Sequence, residues 1–187
     1  MNSFDQSTTL FVNQYVNHSL LFDSLIVFLS GQDLLKGGFF LSLFWYAWFR
    51  PCEDFSQNRK RLLSLLVACL VALTIGRVLQ LMLPFRQRPL HTVGLNFTLP
   101  HRLNSDVLHG WSSLPSDHAT LFFALSMGLF LVSRPLGLLA FSHTIVVICL
   151  PRLYLGFHFA TDLIAGALIG IASSYLLCSG KDRAGIG

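Results

Sequence analysis

Hydrophobic residues occur in long stretches along this chain, and short polar segments separate them. Four stretches, at 62–83, 119–132, 136–155 and 163–178, are almost free of charged residues and predict helices that cross a membrane. A bilayer core requires about 17–25 apolar residues per helix. A shorter stretch at 34–49 contains Trp45, Tyr46 and Trp48 near its end, where aromatic residues are typical of a membrane interface.

The pattern is weaker toward the N-terminus. Residues 19–30 are expected to join 10–18 in one longer helix that is partly interfacial. The first 17 residues lack the basic start and the small-residue cleavage site of a signal peptide, so we expect none. The whole pattern predicts an all-α integral membrane bundle of about six transmembrane helices, forming a single membrane-embedded domain over residues 1–187.

The composition supports a membrane location. Hydrophobic residues make up 53% of the chain and charged residues 12%, with a mean hydropathy of +0.60, whereas a soluble domain carries about 25% charged residues. The pI near 9.1 comes from basic residues scattered among apolar stretches, so we expect no nucleic-acid partner. The cysteines show no metal-binding spacing, and we expect neither a metal nor a cofactor.

Lysine and arginine in the short loops predict the orientation. They follow or precede the apolar stretches at Arg50, 59–61, Arg134, Lys181 and Arg183. With six spans these positions share one face, which we assign to the cytoplasm. The N-terminus is then expected on that face as well. Residues 84–115 and 152–158 fall on the opposite, periplasmic or extracellular face.

Two polar segments of that outer face have residues suited to anion binding. The first, PFRQRPL at 84–90, contains Arg86 and Arg88, whose planar guanidinium groups bind phosphate oxygens. The second, LPSDHAT at 114–120, resembles a helix start, where free backbone N–H groups attract anions. The alternatives are snorkelling arginines and a cap in which Ser116 and Asp117 merely begin the helix before an interfacial His118.

A third segment, RLYLGFHFATD at 152–162, places a histidine and a carboxylate on one helical face. His158 and Asp162 are four residues apart, so the carboxylate is expected to accept from one ring nitrogen and to leave the other free. A turn at Gly156 would bring Arg152 toward them. The alternative is a purely structural histidine–aspartate hydrogen bond, but ionisable residues at a membrane edge are functional candidates by default.

Together the three segments contain two histidines, several arginines, an orienting carboxylate and a helix start. This set fits hydrolysis of a phosphomonoester or diphosphate through a phosphohistidine. One histidine attacks phosphorus, and the other protonates the leaving oxygen and then activates water. Arginines stabilise the charge on the transferred phosphoryl group.

The same residues resemble the signature of the membrane-bound type 2 phosphatidic acid phosphatase superfamily. That signature is a basic residue followed after six residues by Arg-Pro, then Pro-Ser-Gly-His, then Ser-Arg, five residues, His, three residues and Asp. This chain has Arg88-Pro89, then Pro-Ser-Asp-His at 115–118, then Arg152, His158 and Asp162 at matching spacing. The motif region covers residues 77–166.

The resemblance implies a six-helix bundle with a site near the membrane surface. It implies that His158 is the nucleophile, that Asp162 orients it and that His118 is the general acid. It also implies that Arg88, Arg152 and the backbone around Ser116 bind phosphate.

The chain departs from the signature at three positions. Leu81 stands where the first basic residue is expected, and either Arg77 or Arg86 is a candidate to replace it. Pro151 replaces serine. Asp117 replaces glycine, which resembles bacterial undecaprenyl-diphosphate phosphatases of the bacitracin-resistance type.

The preferred function is therefore hydrolysis of undecaprenyl diphosphate to undecaprenyl phosphate on the outer face, as a step of cell-wall biogenesis. Alternative substrates are phosphatidylglycerophosphate, phosphatidic acid or a lipid A phosphate, and a phosphotransferase would use the same intermediate. A lipid-binding or transport protein is the non-enzymatic alternative, which the scarcity of charge in the deep segments disfavours. The partners expected are the lipid substrate and the membrane, and the sequence leaves the oligomeric state open.

Overall fold

The described part of the chain consists of helices joined by loops, without a β-strand. The computed structural model describes residues 2–52, 54–101, 103–104 and 106–179. The helices are α1 (Ser3–Asn13), α2 (Leu20–Gly31), α3 (Phe39–Phe49), α4 (Phe55–Met82), α5 (Asp117–Val132), α6 (Arg134–His143), α7 (Leu150–Tyr154) and α8 (Ala160–Ser179). A π-helical turn, Leu34–Gly38, leads into α3, and another, Thr144–Cys149, joins α6 to α7. The predicted all-α class is confirmed.

Local sequence accounts for several helix ends. Asp54 begins α4 by accepting a hydrogen bond from the backbone N–H of Gln57 (2.8 Å), and the Ser116 hydroxyl accepts from Ala119 at the start of α5 (3.4 Å). At its other end α4 stops at Met82, before Pro84, because proline cannot continue the hydrogen-bonding pattern. The helix start predicted in the segment 114–120 is present, whereas α4 begins at Phe55, before the apolar stretch predicted at 62–83.

Three helices of the described residues are long and apolar enough to cross a membrane. They are Phe55–Met82, Arg134–Tyr154 and Ala160–Ser179. A fourth span results if Leu20–Gly31 and Leu34–Phe49, which meet at a 68° bend, are counted together, and α5 is apolar but shorter. The chain is therefore an integral membrane protein, and the predicted count of about six includes segments shorter than a full span.

Helix α5 is the centre of the bundle, packed against α4, α6 and α8. The approach of α5 to α8 is closest at Gly170, where an added Cβ would lie 2.3 Å from the carbonyl oxygen of Thr120. Small residues permit such close helix contact within a membrane. One turn further along α8, the Ser174 hydroxyl donates to the carbonyl oxygen of Ala124 (2.8 Å). This tight pair fixes the start of α5 beside the start of α8.

The two ends of the bundle differ in chemistry. We call the end that carries His118 and His158 the histidine end. At the opposite end Arg50 donates to the Ser133 hydroxyl in the turn between α5 and α6 (3.1 Å). Basic residues 59–61 begin α4 at that opposite end, and Arg134 begins α6. Lys181 and Arg183 lie outside the described residues.

The N-terminal prediction was wrong in two respects. Residues 10–30 do not form one helix, because α1 ends at Asn13 and α2 begins at Leu20. The N-terminus was expected at the end opposite the histidines, but Asn13 bonds to Thr98 in both directions (2.8 Å each) within the long loop of the histidine end. Asn17 donates to the carbonyl oxygen of Leu99 in the same loop (3.1 Å). Polar side chains within an apolar pattern, rather than the pattern itself, hold α1 in place.

Candidate active site

A polar cavity of 410 Å³ opens at the histidine end. Six of the nine predicted site residues line it, namely Arg77, Arg88, Asp117, His118, Arg152 and His158. The other seven lining residues are Ser30, Lys36, Gln80, Val107, Leu108, Trp111 and Phe157. The three predicted residues that do not line it are Arg86, Ser116 and Asp162. The three polar segments that the sequence indicated therefore meet at this cavity, and three of their predicted site residues lie outside its lining.

The turn at Gly156 presents His158 to the cavity. Gly156 has a φ of +68°, a left-handed conformation that glycine adopts readily. An added Cβ at Gly156 would also lie 2.5 Å from the ring of Phe97. The turn closes with the N–H of Phe157 donating to the carbonyl oxygen of Arg152 (2.9 Å). The expectation that this glycine brings Arg152 and His158 together is confirmed.

The hydrogen bonds of His158 define its tautomer. Nδ1 lies 2.9 Å from the carbonyl oxygen of Ser113, and a carbonyl only accepts, so Nδ1 carries the proton. Nε2 is then the unprotonated nitrogen, and it accepts from the guanidinium of Arg88 (3.2 Å). Burial lowers the pKa of His158, which favours the neutral ring. A neutral imidazole is the nucleophilic form of histidine, and here its Nε2 lone pair accepts from Arg88.

The structure corrects the expected contact between Asp162 and His158. The carboxylate lies 3.8 Å from Nδ1, beyond hydrogen-bonding distance. Instead, Asp162 accepts from the backbone N–H of Phe159 (2.8 Å) and from Arg86 (2.6 Å). Asp162 therefore holds the backbone next to His158. The carbonyl oxygen of Ser113, rather than Asp162, accepts the hydrogen bond from the His158 ring.

Arg86 is not a cavity residue, which settles one of the two alternatives for the missing basic position. Its guanidinium pairs with the buried Asp5 of α1 and with Asp162, and it bonds to Thr161 (2.9 Å). All of these groups lie beside the cavity rather than in it. Because its donors serve neighbouring side chains, Arg86 joins α1 to the start of α8 and is not a phosphate ligand in this arrangement.

Arg77 does reach the cavity from α4. It forms an ion pair with Asp117 (3.3 Å) and lies over the ring of Trp111 (5.5 Å). Leu81, at the position expected to be basic, is 80% exposed and does not line the cavity. The chain folds back after α4, so that Gln80 and Arg88 both donate to the carbonyl oxygen of Ser112 (3.1 and 3.3 Å). Because of this fold-back, Arg77 and Arg88 line the same cavity although they are eleven residues apart in the sequence.

Two buried arginines give the cavity its positive charge. Arg88 donates to the carbonyl oxygens of Trp111 (3.2 Å) and Phe157 (2.6 Å), which fix its side chain beside His158. Arg152 is also buried, but its Nη1 has no hydrogen-bond partner among the described residues. A buried charged donor without a partner is costly. An anion in the cavity would satisfy it.

The start of α5 contributes His118 and Asp117 to the cavity but not Ser116. The Ser116 N–H donates to the carbonyl oxygen of Asp162 (3.2 Å), and its hydroxyl caps the helix at Ala119. Ser116 is fully buried and does not line the cavity, and phosphate binding by the backbone around it stays a prediction. His118, two residues later, lines both the polar cavity and a smaller neighbouring one.

Comparison with known proteins agrees with this geometry. A family model described as the PAP2 superfamily matches residues 61–185, which is more than half of the chain. The chain belongs to the PAP2 superfamily. The matched range includes every cavity residue that the sequence predicted.

Two curated relatives of this PAP2 protein come from bacilli. The chain is 28% identical over 124 residues to the bacitracin transport permease protein BcrC of Bacillus licheniformis, a match covering 64% of this chain and 55% of the relative. It is 23% identical over 162 residues to the undecaprenyl-diphosphatase BcrC of Bacillus subtilis strain 168, covering 86% and 75%. The chain thus spans about half the length of the first relative. No solved structure matches the chain.

Several cavity residues of this PAP2 protein were missed from the sequence. Lys36 is the most polar of them and is buried, although it lies at the start of an apolar stretch. The only sign of it in the sequence was one lysine within QDLLKGGFFL, and the apolar stretch predicted at 34–49 includes that lysine. Ser113 was missed because it acts through its backbone carbonyl, which no side-chain pattern reveals.

Proposed function

We propose that this chain is a membrane lipid-phosphate phosphatase that works through a phosphohistidine on His158. The observation that carries the proposal is the neutral His158, which lines one cavity with Arg88, the donor to its Nε2, and with Arg152, whose Nη1 has no partner among the described residues. A phosphoryl oxygen bound to both arginines would bring phosphorus next to Nε2 of His158. Membership of the PAP2 superfamily supports the same chemistry.

In the first step, Nε2 of His158 attacks phosphorus, and a P–N bond forms as the P–O bond to the leaving group breaks. The leaving oxygen takes the electron pair and receives a proton from His118, which acts as general acid. Arg88 and Arg152 neutralise the equatorial oxygens while charge develops. The carbonyl oxygen of Ser113 stabilises the proton on Nδ1 as the ring becomes positive.

In the second step, a water molecule attacks the phosphohistidine. His118 now accepts a proton from that water, a P–O bond forms, and the P–N bond breaks with its electrons returning to Nε2. Inorganic phosphate leaves, and both histidines regain their starting forms. We propose that these steps require no metal ion, because the arginines supply the positive charge that a metal would otherwise provide.

For the substrate we propose undecaprenyl diphosphate, converted to undecaprenyl phosphate in cell-wall biogenesis. Two findings support it: the Pro-Ser-Asp-His sequence at 115–118 and the undecaprenyl-diphosphatase name of the Bacillus subtilis relative. Phosphatidylglycerophosphate, phosphatidic acid and a lipid A phosphate also present a terminal phosphoryl group, but on other tails and as a phosphate ester rather than a diphosphate. They serve as the comparison substrates in the test.

We further propose that the cavity faces the periplasm or the extracellular medium from a bacterial inner membrane. The support is the charge distribution, because basic residues at 50, 59–61 and 134 lie at the end opposite the histidines. Basic residues concentrate on the cytoplasmic side of membrane proteins. The diphosphate head group would then be processed at the outer surface while the prenyl tail remains in the lipid.

The test is phosphate release by purified protein in detergent with EDTA, using undecaprenyl diphosphate and the three comparison lipids. We expect release that persists in EDTA and is absent in His158→Gln. The matched control is His18→Gln, an exposed histidine in the turn between α1 and α2. It should retain wild-type activity.

Each failure has a distinct meaning. Near-normal activity of a folded His158→Gln variant would exclude the phosphohistidine. Loss of activity in EDTA that added Mg²⁺ restores would exclude the metal-free mechanism. Transfer of phosphate to an added acceptor lipid, without release to water, would identify a phosphotransferase, and binding of lipid without either reaction would favour the non-enzymatic alternative.

A further inference from the structure

Lys36 is a buried cation in the cavity that the signature of the superfamily does not include. It lies in the π-helical turn Leu34–Gly38, where the chain bends between α2 and α3. Its side chain is only 6% exposed, and its ammonium group donates to the carbonyl oxygen of Ser30 (2.7 Å) and to Asp33 (2.8 Å). A lysine ammonium has three donors. The third remains for a ligand in the cavity that Lys36 lines.

The charge of the cavity exceeds what one phosphoryl group needs. Four cationic side chains line it, namely Lys36, Arg77, Arg88 and Arg152, against one carboxylate, Asp117. Arg77 already pairs with Asp117 (3.3 Å). Lys36 pairs with Asp33 (2.8 Å), whose side chain is 94% exposed, so solvent weakens that pair. Arg88 and Arg152 serve the transferred phosphoryl group beside His158, and Lys36 is the remaining buried cation that can bind a second anionic group.

A neighbouring cavity indicates where that second group lies. This smaller cavity, of 230 Å³, shares Lys36, Asp117 and His118 with the polar one. Its other lining residues are Asp33 and Gly37 beside Lys36, and the apolar Leu73, Leu121 and Phe122 of α4 and α5. His158, Arg88 and Arg152 do not line it. The apolar side, toward which a lipid tail would extend, is therefore the side of Lys36 and His118. His118 is the proposed acid for the leaving group, so Lys36 lies beside that group as well.

We propose that Lys36 binds the phosphate of the leaving group and makes the site selective for diphosphates over monophosphates. This inference rests on the proposed function. When Nε2 of His158 attacks the terminal phosphorus of a prenyl diphosphate, the bridging P–O bond breaks and prenyl phosphate departs. Lys36 neutralises the charge that this phosphate gains, while His118 supplies the proton. A prenyl monophosphate has no second phosphate at that position, so it gains nothing from Lys36.

The test compares farnesyl diphosphate with farnesyl monophosphate, which share one tail. For Lys36→Gln we expect kcat/KM to fall about 10- to 100-fold for the diphosphate, the loss typical of a hydrogen bond to a charged group. The monophosphate value should change by less than about twofold, because the lost interaction involves only the second phosphate. Lys36→Arg should restore much of the difference, and Lys60→Gln, an exposed lysine at the opposite end, should leave both values unchanged.

Equal losses for both substrates would overturn the proposal, because a structural role or a contact with the transferred phosphoryl group affects both alike. Unchanged values for both would overturn it as well. A second measurement separates this proposal from the proposed function. Thermal unfolding is followed with added pyrophosphate or inorganic phosphate in the wild type and in Lys36→Gln.

Suppose that the wild type shows no turnover but is stabilised by pyrophosphate, and that Lys36→Gln is not stabilised. This result would support the diphosphate site and refute the phosphatase function. Turnover with equal pyrophosphate and phosphate stabilisation in both proteins would leave the phosphatase and overturn the role of Lys36.

Discussion

The carbonyl oxygen of Ser113 and the guanidinium of Arg88 together fix His158 in one tautomer. Ser113 holds the proton on Nδ1 (2.9 Å), and Arg88 faces Nε2 (3.2 Å). Two further backbone carbonyls hold the Arg88 side chain. The proposed nucleophile thus depends on backbone geometry, so conservative side-chain changes next to it are expected to act through position rather than charge.

The ionisation of His158 leads to a prediction for stability against pH. Burial lowers its pKa in the folded protein, whereas an unfolded histidine has a pKa of about 6.5. As the pH falls below that value, the unfolded chain binds this proton more readily, so the free energy of unfolding decreases. We expect the wild type to lose more thermal stability between pH 8 and pH 5 than His158→Gln loses. Parallel melting curves for the two proteins over this range would contradict the buried neutral histidine.

Arg77 and Arg86 are predicted to respond differently to the same substitution. Arg77 lines the cavity, and Arg86 joins Asp5 to Asp162. Arg77→Gln should raise KM or lower kcat/KM about tenfold with little change in Tm, the size of one charge-assisted contact. Arg86→Gln should lower Tm clearly, because it leaves two buried carboxylates without their partner. Leu81→Gln is the control on the same helix, and the reverse pattern for the two arginines would refute this division of roles.

At the scale of helices, α1 acts as a clamp on the start of α8. Asp5 is fully buried in α1 and accepts from the backbone N–H of Thr161 (3.0 Å), from the Thr161 hydroxyl (2.6 Å) and from Arg86. Arg86 in turn reaches Asp162, which accepts from the N–H next to His158. A helix remote in sequence therefore supports the backbone that carries His158.

Asp5→Asn tests this clamp. The amide retains the volume but loses the charge, so the pair with Arg86 is lost. Breaking a buried ion pair costs about 3–5 kcal/mol, so we expect the free energy of unfolding to fall by about this amount. We also expect a lower kcat at similar KM. Ser7→Ala, an exposed position of α1, is the control. Unchanged kcat in Asp5→Asn would show that α1 does not position His158.

The sequence predicts the apolar helices and the converging polar segments because both follow from local pattern. Pro84 marks the end of α4, Ser116 caps α5, and the spacing of Arg152 and His158 places both at the cavity. Asp5 and Lys36 were not predicted, because their importance arises from partners or a cavity formed by distant segments. The break between α1 and α2 was likewise hidden, because Asn13 and Asn17 stabilise it through the loop at 98–101.

On the scale of the whole molecule, the two ends differ in their chemistry. The histidine end contains the cavity, α1 and the long loop after α4. The opposite end contains the basic starts of α4 and α6. In the proposed orientation, a lipid with an anionic head group would meet the first end, and the positive residues of the second would remain on the cytoplasmic side. The N-terminal helix therefore belongs to the catalytic face rather than to the face that the sequence predicted.

Cysteine labelling in intact cells tests this orientation. In a protein with Cys52 replaced by serine, single cysteines are placed at the exposed positions Ser7, Asn104 and Ser56. A membrane-impermeant thiol reagent should label Ser7→Cys and Asn104→Cys, since α1 and the long loop share the outer end. It should miss Ser56→Cys until the cells are opened, because the start of α4 lies at the other end. Labelling of Asn104→Cys without Ser7→Cys would separate α1 from the catalytic face, and labelling of Ser56→Cys alone would place the cavity in the cytoplasm.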